Sequence, residues 1–260
     1  MERTLAMVPS PTHVASSPTS TLAKAWEFLL SDQVPADGRL VHQADWLLGL
    51  LHGGPCVTDY HNALKLGYDV EALEWPAWLL AEERVARLLP QEVATPGQRI
   101  GKVTAEAASW SGLPEGCQVA AGTTDSIAAF LAAKTSEAGE AVTSLGSTLA
   151  IKLRSPTRVD DAASGVYSHR LGSAQWLVGG ASNTGGKVLR DLFSDAQLRE
   201  LSAQIDPMAD SGLDYYPLPK PGERFPVCDA ALPPRLEPRP SEDAKFLHGV
   251  LEGISRIEAR

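Results

Sequence analysis

The 260-residue sequence predicts an α/β protein in two parts, residues 1–133 and 134–260. Apolar residues recur at helical spacing through most of the first part, whereas short β-branched segments separated by turns dominate the second. Between the two, CQVAAGTTDSIAAFLAA (117–133) indicates a strand, a turn and a helix in direct succession. Hydrophobic residues make up 43% of the chain and charged residues 21%, which is ordinary globular composition.

The first part is predicted to be mostly helical. LAKAWEFLL follows a Ser/Thr start signal, and GRLVHQADWLLGLLHGG indicates a helix from Leu40 to about His52. DYHNALKLGYD is expected to be a loop or short helix, and ALEWPAWLLAEERVARLLP a helix interrupted near Pro76. QRIGKVTAEAASWSGLP then predicts a short strand and a helix.

The second part mixes strands with helices. EAVTSLGSTLAIKLRS has β-branched residues on both sides of a Gly-Ser turn and predicts a hairpin. Short strands are expected in SGVYSHRLGSAQWLVGGASNTGG, a helix in KVLRDLF, and irregular structure in the Pro-rich segment that follows. SEDAKFLHGVLEGISRIEAR predicts a last helix with Ser241 as N-cap, running to Arg260.

Charge and cysteine content narrow the class of protein. A net charge of −9 argues against nucleic acid as a partner, because phosphate binding needs clustered Lys and Arg. The sequence has no apolar run of membrane-spanning length, so no membrane association is expected. The cysteines are odd in number and widely spaced (Cys56, Cys117 and Cys228), which predicts free thiols. Free thiols predict a cytoplasmic protein, or a plastid protein if a transit peptide precedes the chain. No metal-ligating residues and no oligomeric state are predicted.

Asp125 stands at the strand-to-helix turn and has two interpretations. As an N-cap it would accept a backbone N–H and stabilise the helix. As a general base it would lie where a strand ends and ligands bind in open α/β sheets. A carboxylate that takes a hydroxyl proton is what phosphoryl transfer asks of the protein. Both interpretations can hold together.

Two glycine-containing turns follow. In SLGST a glycine would let backbone N–H groups converge on an anion, with Ser147 and Thr148 adding hydroxyl donors. WLVGGASNTGGKVLRDLF places a Gly-rich loop between a strand and a helix, a context suited to phosphate. It nearly matches a P-loop through Gly186 and Lys187, but Val188 stands where a P-loop has the Mg²⁺-binding hydroxyl.

Taken together, these segments resemble the FGGY carbohydrate kinases, and most of all the D-ribulokinase (xylulose kinase-like) branch of plants and cyanobacteria. The resemblance implies the actin-like, hexokinase–Hsp70 (ribonuclease H-like) two-domain fold. In the family's order, the segments that carry it are STLAKAW, QADWLLGLLHG, TDYHNALKLGYD, AGTTDSIAAFLA, EAVTSLGSTLAIKL, GVYSHRLG, GGASNTGG, GLDYYPLPKPGERFP and LEGISRIE.

The resemblance implies ATP-dependent, Mg²⁺-requiring phosphorylation of a pentulose, D-ribulose first and D-xylulose next. Asp125 would be the catalytic base, and Thr124 and Asp59 would lie on the sugar side with it. The partners would be the sugar and ATP. Glu223 and Arg224 would form an internal ion pair that holds a loop.

The same resemblance assigns the nucleotide side. Gly146, Ser147 and Thr148 would hold the β- and γ-phosphates of ATP, and Asn183 and Lys187 would lie beside the nucleotide. The family's first phosphate loop and its adenine-site motif do not occur in this sequence. Residues 1–133 would therefore be the C-terminal part of the sugar-binding domain, and 134–260 the N-terminal part of the ATP-binding domain.

Such an incomplete chain is expected to be weakly active or inactive by itself. Two alternatives to the kinase stay open at this point. One is a non-catalytic remnant that binds sugar or a partner, and the other is a P-loop NTPase that uses Gly186 and Lys187.

Overall fold

The structure, a computed structural model, describes residues 6–31 and 34–260. The chain forms two compact units. Unit 1 contains residues 1–134 and 169–174, and unit 2 contains residues 135–168 and 175–260. Both contain helices and strands, so the predicted α/β class is confirmed. That unit 1 belongs to a sugar-binding domain and unit 2 to an ATP-binding domain stays a prediction.

Unit 1 is mainly helical in its described residues. Its elements are α1 (Thr21–Leu30), α2 (Gln43–His52), β1 (Thr58–Asp59), α3 (Tyr60–Ala63), α4 (Ala77–Leu80), α5 (Glu83–Ala86), β2 (Val93–Ala94), β3 (Arg99–Lys102), α6 (Ala105–Ser111), β4 (Gln118–Ala120) and α7 (Asp125–Ala132), with 3₁₀ turns at Val14–Ser16 and Leu64–Leu66. β1 pairs with β2 in parallel, and β3 pairs with β4 antiparallel.

The helices of unit 1 follow the predicted pattern, with local corrections. α1 begins after Ser20, whose Oγ accepts a hydrogen bond from the Ala23 N–H at 3.1 Å. α2 begins at Gln43 rather than Leu40, because the N–H of His42 already bonds the Asp45 carboxylate at 3.0 Å. The interrupted helix around Pro76 is in fact the two separate four-residue helices α4 and α5.

Unit 2 contains an antiparallel hairpin, further strands and three helices in its described residues. The elements are β5 (Ala141–Leu145), β6 (Leu149–Ser155), β7 (Tyr167–Leu171), β8 (Gln175–Ser182), α8 (Gly186–Leu192), α9 (Asp195–Ser202) and α10 (Asp243–Glu258). Residues 169–171 of β7 are counted with unit 1. The strand order is β5-β6-β8-β7. Leu145 pairs with Leu149, which confirms the hairpin predicted in SLGST.

The core of unit 2 forms where α10 packs beside α8 and the sheet. α10 supplies five buried apolar residues, and the other four are Leu149 from β6, Val188 from α8, Phe193 and Tyr215. The predicted cap of α10 was wrong. Glu242, not Ser241, occupies the N-cap and makes no side-chain capping bond, and the helix ends at Glu258.

Two simple features bear on the protein's class. Cys56, Cys117 and Cys228 are all free thiols, as predicted. Across 6–31 and 34–260, no helix combines the length and the apolar character needed to span a membrane.

Candidate functional site

The Gly-Thr-Thr-Asp loop (residues 122–125) joins β4 to α7 and presents Asp125 to solvent. Thr124 occupies the N-cap position without a side-chain capping bond, and Asp125 is the first residue of the helix. The predicted N-cap role of Asp125 was therefore wrong. Within the described residues, its exposed carboxylate accepts one hydrogen bond, from the neighbouring Ser126 N–H at 2.7 Å. A negative charge is favourable at this end of a helix, where the backbone N–H groups point outward.

Thr124 carries an unsatisfied hydroxyl. Its Oγ1 is buried and has no hydrogen-bond partner among the described residues. A buried polar group left in this state costs about 1–3 kcal/mol. A hydroxylated ligand that reached this atom would remove that cost, which suits the predicted place of Thr124 on the sugar side.

Asp59, the other predicted sugar-side residue, is fully buried and caps α3. Its Oδ1 accepts the N–H groups of His61 at 2.9 Å and Asn62 at 3.1 Å. Its Oδ2 accepts the Asn62 side-chain amide at 2.6 Å. These bonds give Asp59 an evident structural role, and a contact with sugar stays a prediction.

His61 lies beside the Gly-Thr-Thr-Asp loop, in a buried polar cluster that was not predicted from the sequence. Its Nδ1 is 2.7 Å from Thr123 Oγ1, and its Nε2 is 2.6 Å from the Arg170 carbonyl oxygen. The ring is edge-on to Tyr60, with centroids 4.8 Å apart. Burial raises the pKa of Tyr60, and the charge of Arg170 only partly offsets this.

The hairpin tip of unit 2 (Gly146, Ser147 and Thr148) is exposed and rests on the start of α8. The Gly186 N–H donates to the Gly146 carbonyl at 2.8 Å, and the Lys187 N–H donates to the Ser147 carbonyl at 3.1 Å. Backbone groups therefore hold the tip, and the two hydroxyl groups stay at the surface.

Close backbone approach explains the glycine pair at the start of α8. Gly185 has φ +140°, and a Cβ there would lie 2.7 Å from the Thr148 carbonyl carbon. A Cβ on Gly186 would lie 2.7 Å from the Gly146 carbonyl oxygen. Real Cβ atoms do not come this close to backbone, so any larger residue would push the hairpin tip away from the helix.

These contacts argue against the P-loop NTPase. A P-loop offers its backbone N–H groups to phosphate and extends its lysine towards the same anion. Here the N–H groups of Gly186 and Lys187 are taken by hairpin carbonyls. Lys187 Nζ pairs with the Asp191 carboxylate at 2.8 and 2.9 Å, and Val188 is buried.

Glu223 organises the loop that carries Asn183. Its Oε1 accepts the N–H groups of Asn183 at 2.7 Å and Arg224 at 2.8 Å. Its Oε2 accepts the hydroxyl groups of Ser182 at 2.6 Å and Tyr216 at 3.1 Å. The predicted Glu223–Arg224 ion pair is thus replaced by a hydrogen-bonded hub. Burial and the Glu223 carboxylate strongly raise the pKa of Tyr216.

Asn183 is fixed by the same loop. Its side-chain Nδ2 donates to the Gly222 carbonyl at 2.9 Å, so the amide helps to hold the loop. Whether it also contacts a nucleotide stays a prediction.

Arg190 is a candidate residue that the sequence interpretation missed. Its guanidinium Nη2 lies 3.5 Å from Ser147 Oγ, which brings an exposed positive charge to the hairpin tip. The available signal was its position on α8, one helical turn after Gly186 and therefore on the same face. Lys187, which was predicted instead, is held by Asp191.

The described residues provide no resident metal centre. No group of three or more His, Cys, Asp or Glu side chains in this part of the chain is placed to hold a metal ion. Magnesium usually binds through substrate phosphates with only one or two carboxylates, and the predicted use of Mg²⁺ stays a prediction.

Comparison with known proteins shows the fold. No protein-family model matches the chain. It is similar to the crystal structure of xylulose kinase from Rhodospirillum rubrum, with 24% identity, a TM-score of 0.76, and coverage of 98% of this chain and 55% of that one. Nearly the whole chain therefore has the actin-like fold of sugar kinases, and it corresponds to about half of the Rhodospirillum structure.

Other solved structures agree. Xylulose kinase from Lactobacillus acidophilus aligns with a TM-score of 0.78 at 19% identity, covering 93% of this chain and 51% of that chain. A carbohydrate kinase from Novosphingobium aromaticivorans aligns at 0.76 and 16%, covering 100% and 60% respectively. The chain therefore spans little more than half the length of these proteins.

Proposed function

We propose that the chain is part of an ATP-dependent kinase for a pentulose, D-ribulose first and D-xylulose next. The fold supports a sugar kinase, and two of the similar structures are described as xylulose kinases. The observation that carries the proposal is the exposed Asp125 carboxylate at the start of α7, which in the described part of the chain accepts one N–H, that of its neighbour Ser126. It is available to accept a proton.

In the proposed reaction, Asp125 accepts the proton of a sugar hydroxyl as that oxygen attacks the γ-phosphorus of ATP. A new P–O bond forms to the sugar, the bond from the γ-phosphorus to the β–γ bridging oxygen breaks, and ADP leaves. A positioned proton acceptor contributes about 10²–10⁴-fold to such a rate. The orphaned Thr124 hydroxyl is proposed to hydrogen-bond the same sugar.

On the nucleotide side, the hydroxyl groups of Ser147 and Thr148 are proposed to donate to the phosphate oxygens of ATP, with Gly146 shaping the turn. The Arg190 guanidinium would supply the positive charge that a developing phosphate anion needs. Asn183 and Lys187 are proposed to lie beside the nucleotide. Lys187 would first have to leave Asp191, at small cost because exposed ion pairs are weak.

Transfer of labelled γ-phosphate under single-turnover conditions, with protein in excess over ATP, tests the proposal even for a slow chain. Mg²⁺ and either D-ribulose or D-xylulose complete the reaction. Labelled sugar phosphate is expected with both sugars, and more rapidly with D-ribulose. Release of labelled inorganic phosphate that does not depend on sugar would contradict the proposal and favour an NTPase.

A non-catalytic remnant that binds sugar or a partner is the second candidate. It is favoured by the ion pair that holds Lys187, a predicted nucleotide-side residue, on Asp191. Isothermal titration separates the two, because the remnant predicts saturable binding of sugar without labelled product. The absence of saturable binding of either pentulose would contradict both candidates on the sugar side.

A further inference from the structure

His61 has both ring nitrogens engaged, and its two partners determine its tautomer. The side chain is buried, with the whole residue 4% exposed. The Arg170 carbonyl, 2.6 Å from Nε2, can only accept a hydrogen bond, so Nε2 carries the proton. In the neutral ring Nδ1 is then an acceptor, and the Thr123 hydroxyl at 2.7 Å is its donor.

We infer that His61 is a positioning residue: by accepting the Thr123 hydroxyl, it fixes the loop that presents Thr124 and Asp125. This inference rests on the proposed function, because it gives the fixed loop the task of holding the acceptor sugar. His61 itself touches neither the sugar nor the phosphate in this account. Thr123 directly precedes the two residues proposed to contact the sugar, so its placement determines theirs.

The rest of the cluster argues that the Thr123 bond is the important one. The end of β7 and the turn after it (residues 169–174) are held without His61. The Arg170 guanidinium donates to the carbonyls of Val70 and Glu71, at 3.0 and 3.1 Å, and of Gly172, at 3.0 Å. The described residues 122–124 have the His61–Thr123 bond as their side-chain link to another element. Losing His61 would therefore loosen this loop more than the turn.

Two substitutions separate the two hydrogen bonds of the ring. In His61→Asn the side-chain oxygen can take the place of Nδ1 and accept the Thr123 hydroxyl, while the bond to Arg170 is lost. In His61→Gln the longer amide can take the place of Nε2 and donate to Arg170, while Thr123 loses its acceptor. Thr123→Val removes the same bond from the other side and keeps the shape of the side chain.

Amide hydrogen exchange by NMR reports loop order, and isothermal titration with D-ribulose and D-xylulose reports sugar binding. His61→Gln and Thr123→Val are each expected to speed exchange at Thr124–Ser126 about tenfold and to weaken sugar binding about three- to tenfold, the effect of one hydrogen bond. His61→Asn should recover both to within about twofold. Wild-type behaviour of His61→Gln, or a larger loss in His61→Asn, would overturn the inference.

The unsubstituted protein supplies a test that no folding defect can obscure. Imidazole ¹⁵N shifts should show His61 as the neutral Nε2–H tautomer, and the Nδ1–H tautomer would overturn the inference. Should the wild type bind neither pentulose, the proposed function fails, while the tautomer and exchange rates still decide whether His61 holds the loop. Should it bind sugar with no difference among the variants, the inference fails and the function stands.

Discussion

The two loops proposed to serve acceptor and donor are held in place by opposite means. In unit 1 the Gly-Thr-Thr-Asp loop is tied by a side chain, through the Thr123 hydroxyl and His61. In unit 2 the hairpin tip is tied by its backbone, through carbonyls that accept N–H groups of α8. One loop thus commits a hydroxyl to its own support, and the other keeps both hydroxyl groups at the surface.

The difference predicts where each loop tolerates change. A loop held by a side chain loses order when that side chain or its partner is replaced. A loop held by its backbone tolerates side-chain truncation at the tip but fails when a Cβ is added beneath it. Substitutions in unit 2 test this contrast through the free energy of unfolding and through ATP binding.

Gly185→Ala should destabilise unit 2 by about 4 kcal/mol, since the new Cβ would meet Thr148 backbone atoms in a conformation that only glycine adopts readily. Gly212→Ala is the matched control. Gly212 also has positive φ, at +71°, but open space around its Cβ position, so only about 1 kcal/mol of backbone strain is expected. Urea denaturation measures both, and equal losses would show that the close approach is unimportant.

Glu223→Ala should cost about 3 kcal/mol, because two backbone N–H groups and two hydroxyl groups lose their shared acceptor. Glu223→Gln should cost less, since its amide oxygen can still accept the N–H groups of Asn183 and Arg224. The exposed Glu200 provides the control, and Glu200→Gln should change the free energy of unfolding by no more than about 0.5 kcal/mol. A Glu223→Ala protein as stable as wild type would show that these four hydrogen bonds do not stabilise unit 2.

Arg190→Gln should weaken ATP binding about tenfold, or about 1.4 kcal/mol, if its guanidinium meets the phosphates at the hairpin tip. Lys187→Ala should weaken it less than about threefold, because Asp191 holds the lysine in the free protein. Titration with ATP-Mg at two ionic strengths measures both variants. A larger loss for Lys187→Ala would restore the original sequence prediction over Arg190.

The smallest expected effect is on the pH dependence of the free energy of unfolding, through the Glu223–Tyr216 contact. Burial and the nearby Glu223 raise the pKa of Tyr216 in the folded protein above that in the unfolded chain. Tyr216 therefore loses its proton at a lower pH in the unfolded chain than in the folded protein. Its contribution to the free energy of unfolding is constant below pH about 10 and falls as the pH rises further. Tyr216→Phe should reduce this slope, by at most about 1.4 kcal/mol per pH unit. An unchanged slope would contradict the assignment.

Local sequence patterns predicted much of the architecture. The hairpin, the strand before the Gly-Thr-Thr-Asp loop and the helix after it are specified by residues adjacent in the chain. Boundaries failed where two neighbouring residues compete, as with Ser241 and Glu242, because the cap of a helix depends on the packing that positions its first turn.

The His61–Thr123 hydrogen bond could not be predicted from the sequence, for a different reason. It joins residues 62 positions apart, and nothing in either local segment indicates the other. Arg190 was missed because an arginine on a surface helix is usually just solvated. Only the folded hairpin brings Ser147 next to it.

If Asp125 accepts the proton of the sugar hydroxyl, as proposed, Asp125→Asn should slow phosphoryl transfer under single-turnover conditions. Asp195→Asn is the matched control, since Asp195 is also an exposed first residue of a helix. Labelled sugar phosphate is expected to form at least about 100-fold more slowly in Asp125→Asn and at the wild-type rate in Asp195→Asn. Transfer by Asp125→Asn at the wild-type rate would contradict it.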